Sequence, residues 1–252
     1  MYNLFHSPKN NLYFFYGHYA FLKDTTNEFE KLIEKLSEYV NFINFDDALD
    51  LLEKGQTSGF SKPTVCFSFD DGFKECYTHI YPVLKKHKVN ACFFINSNFI
   101  DGSNDYIEKF QEDKIHIKKE PMTRDMIVEM SKQGFIFGSH TVNHADLATL
   151  NNKDLQYELE MSKIWLENLL SIPCDYFAWP YGAMQHISEN ALKQATQRYQ
   201  YIFSALRHEN YFCCNNKQVI NRDHFEGFWD ESHIRFFLSQ VKKLEFNRKG
   251  KN

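Results

Sequence analysis

Seven short apolar runs separated by amphipathic stretches constrain this chain more than any other feature of it. They are Tyr13–Tyr16, Thr64–Phe69, Ala91–Asn96, Phe135–Gly138, Tyr176–Trp179, Tyr201–Ser204 and Gln218–Asn221. Several are apolar without alternation, the pattern of strands whose two faces are both covered. The stretches between them carry helical stripes, such as Phe29, Leu32, Ile33, Leu36 and Val40, or Leu155, Leu159, Leu166 and Leu169. Repeated βα units predict an α/β fold with a parallel sheet, open or closed into a barrel. In either form, functional groups gather where strands end and helices begin. The 252 residues suit one large domain, and no Pro/Gly/Ser linker divides them, so residues 1–252 read as a single domain. The polar stretch 98–120 reads as an irregular excursion or partial lid.

Composition narrows the class. Apolar residues make up 43 % of the chain, with 25 Phe and 14 Tyr, which is ample for a large core. The net charge of −4 is mixed in sign throughout, and no basic stripe argues for nucleic acid. No apolar run approaches the roughly 20 residues that span a bilayer, so no transmembrane segment is expected. Met1 to Asn11 lacks the cationic-then-apolar pattern of a signal peptide. The six cysteines contain no C-x-x-C pair and read as reduced thiols. A cytoplasmic location is the expectation, with association at the inner face of the membrane compatible with it.

Two strings carry the chemistry. Phe67-Ser-Phe-Asp-Asp-Gly72 ends a strand with adjacent carboxylates and a glycine, and Ser139-His-Thr-Val-Asn-His144 places two imidazoles four residues apart after another strand. Alone, Asp-Asp-Gly is ordinary turn chemistry. Two adjacent carboxylates repel, however, and a divalent cation offsets them. His140 and His144 on a strand-to-helix turn can both face one ion. Thr141 stands where an H-E-x-x-H helix carries its general base, so the base comes from elsewhere. Asp70 is the economical choice, leaving Asp71 as third ligand. The inventory suits metal-assisted hydrolysis.

These strings resemble the first two motifs of the polysaccharide deacetylase (NodB-homology) family of carbohydrate esterases. Ile80–His87 followed by Ala91–Ile95 resembles its next helix and strand, and Phe177-Ala-Trp-Pro-Tyr-Gly182 resembles its third motif in an F-A-x-P-Y-G branch. The resemblance implies a distorted (β/α) barrel of about seven parallel strands. It implies a divalent metal, Zn²⁺ foremost with Co²⁺, Ni²⁺ or Fe²⁺ as alternatives, held by Asp71, His140 and His144. Asp70 is then the base, and the backbone N–H of Tyr181 an oxyanion donor. The expected reaction is removal of an N-acyl group, acetyl foremost, from an amino sugar.

The pattern departs from the family in two places. Ala178 replaces the usual Arg of the third motif, and no D-x-x-D-W partner follows near Tyr201–Glu209; losing both together avoids an unpaired buried charge. Arg222 is expected to supply the missing positive charge from another strand end and to contact substrate. The late L-x-H motif has no literal copy. His224, in Ile220-Asn-Arg-Asp-His224, is the nearest equivalent in order and the expected acid. His18 and His208 are further histidines that could reach the cleft, and Trp179 and Phe225 could stack on a sugar ring. Without a signal peptide, the expected substrate is an N-acylated amino sugar that is free, nucleotide-linked or lipid-linked. The rival readings are a non-catalytic carbohydrate-binding relative, an amide or imide hydrolase on the same scaffold, and a non-haem iron site of two His and one carboxylate.

Overall fold

All seven expected runs form strands in the computed structural model, which describes residues 8–21, 27–206, 213–214 and 217–239. His208 lies outside the described residues. In chain order the strands are β1 (Leu12–Gly17), β2 (Asn41–Phe42), β3 (Thr64–Phe69), β4 (Ala91–Ile95), β5 (Ile136–Ser139), β6 (Tyr176–Ala178), β7 (Tyr201–Ser204), β8 (Cys213–Cys214), β9 (Lys217–Asn221) and β10 (Asp223–His224). They pair in the order β10-β1-β3-β4-β5-β6-β7-β9, every neighbour parallel. The short β2 lies beside β3, and β8 adds antiparallel to β9. β9 passes through the single residue Arg222 into β10. One segment therefore borders both ends of the sheet and nearly closes it into an eight-stranded (β/α) barrel.

Strand parity sorts the core into two layers. Leu12 and Phe14 of β1, Cys66 of β3, Cys92 and Phe94 of β4, Ala178 of β6, Phe203 of β7 and Ile220 of β9 form an inner cluster. Phe45, Ala48, Leu49 and Leu52 of the helix Phe45–Glu53 join it and plug one end. The alternate residues, such as Tyr13, Phe15, Phe67, Phe93 and Phe177, pack outward against the surrounding helices. Cys66, Cys76, Cys92 and Cys174 are free and buried, and burial pushes their thiols up. No helix among the described residues is long and apolar enough to cross a membrane.

The excursion at 98–120 is not irregular. It forms the helices Ser97–Asp101 and Asn104–Phe110, then a wide helical turn over Gln111–Ile115. Asn96 and Ser103 cap the two helices by accepting from the Phe99 and Tyr106 N–H groups. Phe99 and Phe110 are buried with ring centroids 4.8 Å apart, and Phe99 lies 5.3 Å from Phe73, which anchors a stretch whose polar composition concealed it.

Register fixes what meets above the barrel. β1 and β3 pair from Leu12 with Thr64 to Gly17 with Phe69, so His18 and Asp70 leave their strands at the same level. Tyr16 pairs with His224, and Ile95 with Ser139 immediately before His140.

Candidate active site

Three strand-end turns build the site, and each relies on residues in the left-handed region. Asp71 (φ 73°), Thr141 (φ 68°), His144 (φ 49°) and Tyr181 (φ 63°) all adopt it without being glycine. The cost is about 1–2 kcal/mol each. Such strain persists where surrounding contacts enforce it and clusters at functional sites.

The contacts that enforce it are specific. The Asp70 N–H donates to the Gly17 carbonyl at 2.9 Å, and the His140 N–H to Ile95 at 2.9 Å. Glu158, buried on the helix Asn152–Leu170, holds the histidine turn. Its carboxylate accepts from the Val142 and Asn143 N–H groups at 2.9 and 2.8 Å and from the Asn143 side chain at 2.6 Å. Charge-assisted bonds of this kind are among the stronger ones. Gly182 carries the third turn at φ 62°, where an added Cβ would lie 2.1 Å from the Ala205 Cβ and 2.5 Å from its nitrogen. Gly182→Ala is expected to cost about 1–3 kcal/mol in urea unfolding and to lower turnover by displacing Tyr181. Unchanged stability and turnover would show that the approach to Ala205 does not set this turn.

Asp71, His140 and His144 converge. The Asp71 Oδ1 lies 3.7 Å from His140 Nε2 and 3.4 Å from His144 Nε2, yet it is buried and meets no hydrogen-bond donor among the described residues. His140 uses Nδ1 on the Ala178 carbonyl at 2.7 Å, which turns Nε2 toward Asp71. Burial, then repulsion from His140 and His18, holds the His144 imidazole well below its usual range, so that ring is neutral at ordinary pH. Burial raises the Asp71 carboxyl. Three potential ligand atoms thus face one another out of water. A tetrahedral ion with bonds of about 2.0–2.1 Å spaces its ligand atoms by about 3.3–3.4 Å, and the donor set suits a divalent metal.

Asp70 is held differently. Arg222 donates from Nη1 to Oδ1 at 2.8 Å and from Nη2 to Oδ2 at 2.9 Å, and also binds the Ser68 hydroxyl and the Ser204 carbonyl at 3.0 Å each. Its guanidinium stacks 4.7 Å from the Tyr16 ring and 4.9 Å from Phe94. Burial alone would raise the Asp70 carboxyl, but the Arg222 charge, His140 and the bidentate bonds hold it below the usual range. Arg222 is fully buried and committed to Asp70. The expected positive charge is present, therefore, but it is turned onto Asp70 and is not among the residues that line the cavity.

The same cavity holds a second group, in which Glu226 is the hub. Its Oε1 meets His18 Nδ1 at 2.7 Å and His224 Nε2 at 2.8 Å, while Oε2 accepts from the His18 and Tyr19 N–H groups at 3.0 and 2.7 Å. Burial would raise Glu226, but the two histidines bring it down to about 2. Burial would lower His18, but the Glu226 charge and hydrogen bond bring it up to about 9.

A cavity of about 380 Å³ joins these groups, lined by Asp70, Asp71, His140, His144, Tyr181, His18, His224 and Glu226, with Lys114 and Ile115 from the 98–120 segment. That is within the usual range for small-ligand sites. Trp179 is not among the lining residues: β6 ends one residue before it, it is wholly buried, and its Nε1 donates to Ala183. Phe225 is likewise core, packed on Phe15, Phe67 and Phe69. Tyr16, Tyr19 and Tyr181 line the cavity, and Tyr181 is 39 % exposed.

Glu158 and Glu226 escaped the sequence reading. A Glu at 158 between Leu155 and Leu159 and in step with Leu166 marks a carboxylate on the buried helix face, a usable signal. Glu226 gave none.

The polysaccharide deacetylase family model matches residues 57–200, more than half of the chain, and the chain belongs to that family. A peptidoglycan-N-acetylmuramic acid deacetylase, PdaA of Bacillus subtilis, is 32 % identical over 98 residues, which are 38 % of this chain and 30 % of PdaA. A poly-beta-1,6-N-acetyl-D-glucosamine N-deacetylase of Staphylococcus aureus is 27 % identical over 203 residues, 75 % of this chain and 65 % of that protein. The chain thus spans less than two thirds of either relative's length. The same fold occurs in the structure of IcaB from Ammonifex degensii, with TM-score 0.64 and 20 % identity over 93 % of this chain and all of that one. It occurs too in the Streptococcus pyogenes deacetylase PplD in complex with acetate, with TM-score 0.64 and 20 % identity over 87 % and 93 %.

Proposed function

We propose that this chain is a metal-dependent hydrolase that removes an N-acetyl group from an amino sugar. The observation that carries the reading is a buried Asp71–His140–His144 cluster beside a carboxylate, Asp70, that Arg222 holds ionised in the same cavity. A divalent ion held by the three ligands would supply Lewis-acid polarisation of the acyl carbonyl and a nucleophile at neutral pH. Asp70 takes the proton of the attacking water, and its fixed fork on Arg222 keeps one orientation for that transfer. The Tyr181 N–H donates to no described residue and sits on a turn that its positive φ aims inward from β6, which suits it to the developing oxyanion. The Tyr181 ring offers an apolar face to the sugar.

The relatives' names speak of N-acetylglucosamine polymers and peptidoglycan, which puts polymer-borne sugars beside free, nucleotide-linked and lipid-linked ones as substrates. Purified protein supplied in turn with Zn²⁺, Co²⁺, Ni²⁺ and Fe²⁺ is to be assayed for acetate on β-1,4- and β-1,6-linked N-acetylglucosamine oligomers, peptidoglycan fragments and nucleotide-linked N-acetylglucosamine. Acetate with an equal yield of free amine, lost on chelation and restored by metal, is the expected result. Silence across the whole panel would sink the reading.

A further inference from the structure

We propose that His18, His224 and Glu226 form a second Zn²⁺ site, weaker than the Asp71 cluster, whose filling stops turnover. The effect on turnover rests on the deacetylase reading; the binding of the ion does not.

Among the described residues, two groups of His, Cys, Asp or Glu bring three ligand atoms within 4.8 Å of one another. One is Asp71, His140 and His144, and the other is His18, His224 and Glu226. Two imidazole nitrogens and one carboxylate oxygen are a zinc donor set, and they leave a fourth position open to water. The topology assembles the second group at the seam of the barrel. Tyr16 of β1 pairs with His224 of β10, and the Phe225 N–H donates to the Tyr16 carbonyl, so His18 and Glu226 follow at the same level. Glu226 is anchored at Oε2, which accepts from the His18 and Tyr19 N–H groups, and this leaves Oε1 to the two rings. The ring centroids of His18 and His224 lie 5.5 Å apart.

The distances make this the weaker site. Oε1 lies 2.7 Å from His18 Nδ1 and 2.8 Å from His224 Nε2, which are hydrogen-bond lengths. Ligand atoms on a tetrahedral zinc stand about 3.3–3.4 Å apart, so each ring must draw back by about 0.5 Å. Side-chain exposures of 26 % and 37 % give both rings room to do so. The entering ion replaces the hydrogens between Oε1 and the rings, which leave to solvent as protons. Asp71 Oδ1 has no such bonds to surrender among the described residues. Losing two charge-assisted bonds puts the second Kd about 10²–10⁴-fold above the first. The charge of a first ion across the same cavity widens the gap.

Filling the second site takes away what the reaction needs after water has attacked. The amine leaves only with a proton, and His18 and His224 are the two cavity histidines outside the Asp71 cluster. A metal-bound imidazole is neutral and yields its remaining hydrogen far less readily than an imidazolium does. The ion and its water also occupy the wall along which the sugar must lie.

Equilibrium dialysis of the metal-free protein across a buffered series of free Zn²⁺, with bound zinc counted per chain, tests the site without turnover. The wild type is expected to take up two ions in separate steps. His224→Gln and Glu226→Gln should each weaken the second step by more than about 100-fold and keep the first, which also shows that the variants fold. Asp71→Asn should lose the first step and keep the second at equal or higher affinity. Acetate release by the wild type should rise with the first ion and fall by at least about 10²-fold as the second fills. The proposal is overturned if the wild type binds one ion per chain, or if turnover holds level while the second step fills. It is overturned too if His224→Gln and Glu226→Gln keep the second step at wild-type affinity, which would mark an adventitious ion only. A wild type that binds two ions but releases no acetate from any substrate overturns the deacetylase reading, and the variants still decide the second site by themselves.

Discussion

Replacing Arg222 with Met is expected to destabilise the protein by about 3–5 kcal/mol, the penalty for stranding one member of a buried ion pair. Both partners are out of water, and Arg222 also serves Ser68 and the Ser204 carbonyl, so four bonds are lost together. The position is more exacting than an ordinary buried pair. Arg222 is the single residue between β9 and β10, and its side chain crosses the barrel from the last strand to the turn after β3. Asp70→Asn alone also strands a charge and removes the base, so turnover should drop by about 10²–10⁴-fold. The double variant Arg222→Met/Asp70→Asn separates the two roles. Because a buried ion pair barely repays its desolvation, replacing both members should regain most of the lost stability while turnover stays low. Urea unfolding of the four proteins measures the coupling. Additive losses in the double variant would mean that the pair is not the source of the penalty.

The parts of this design differ in how far the sequence discloses them. Strands show because apolar runs such as Thr64–Phe69 and Ala91–Ile95 must be covered on both faces, a local property of the chain. The candidate metal ligands show because Asp71, His140 and His144 sit in short strings at strand ends, where spacing limits the chemistry. Arg222 on Asp70 and Glu226 on His18 join residues 152 and 208 positions apart, and only closure of the barrel brings them together. A residue type can advertise a charge at Arg222 without revealing that the charge faces inward. Trp179 misled for the opposite reason. An aromatic beside a motif suggests a sugar platform, yet the strand ends one residue early and the turn buries the indole. The helices of the 98–120 segment were hidden by polar composition, since their anchors Phe99 and Phe110 are few and their caps ordinary.

Asp71→Asn is expected to abolish metal-dependent stabilisation and to leave the metal-free protein at least as stable as the wild type. Metal-free, the Asp71 Oδ1 is a buried acceptor with no donor among the described residues, 3.4 and 3.7 Å from two imidazole nitrogens, and burial already presses its carboxyl toward the neutral form. An amide of the same shape removes the desolvated charge and can turn N–H groups toward those nitrogens. The same exchange removes the anionic ligand. Losing groups that merely support metal ligands costs about 10–100-fold in affinity or activity, so losing a ligand should cost more than about 100-fold in each. In the wild type, an ion that binds only the folded chain adds about 2.7 kcal/mol at a concentration 100 times its Kd, and the Tm should climb with added Zn²⁺. Asp71→Asn should show no such climb over the same range. Thermal unfolding with and without Zn²⁺, paired with acetate release, tests both halves at once. An equal zinc-dependent rise in both proteins would place the ion elsewhere. A metal-free variant well below the wild type would mean that Asp71 stabilises the fold through contacts other than an ion. A rise in metal-free stability together with loss of turnover is the signature of a residue kept for chemistry at the expense of the fold.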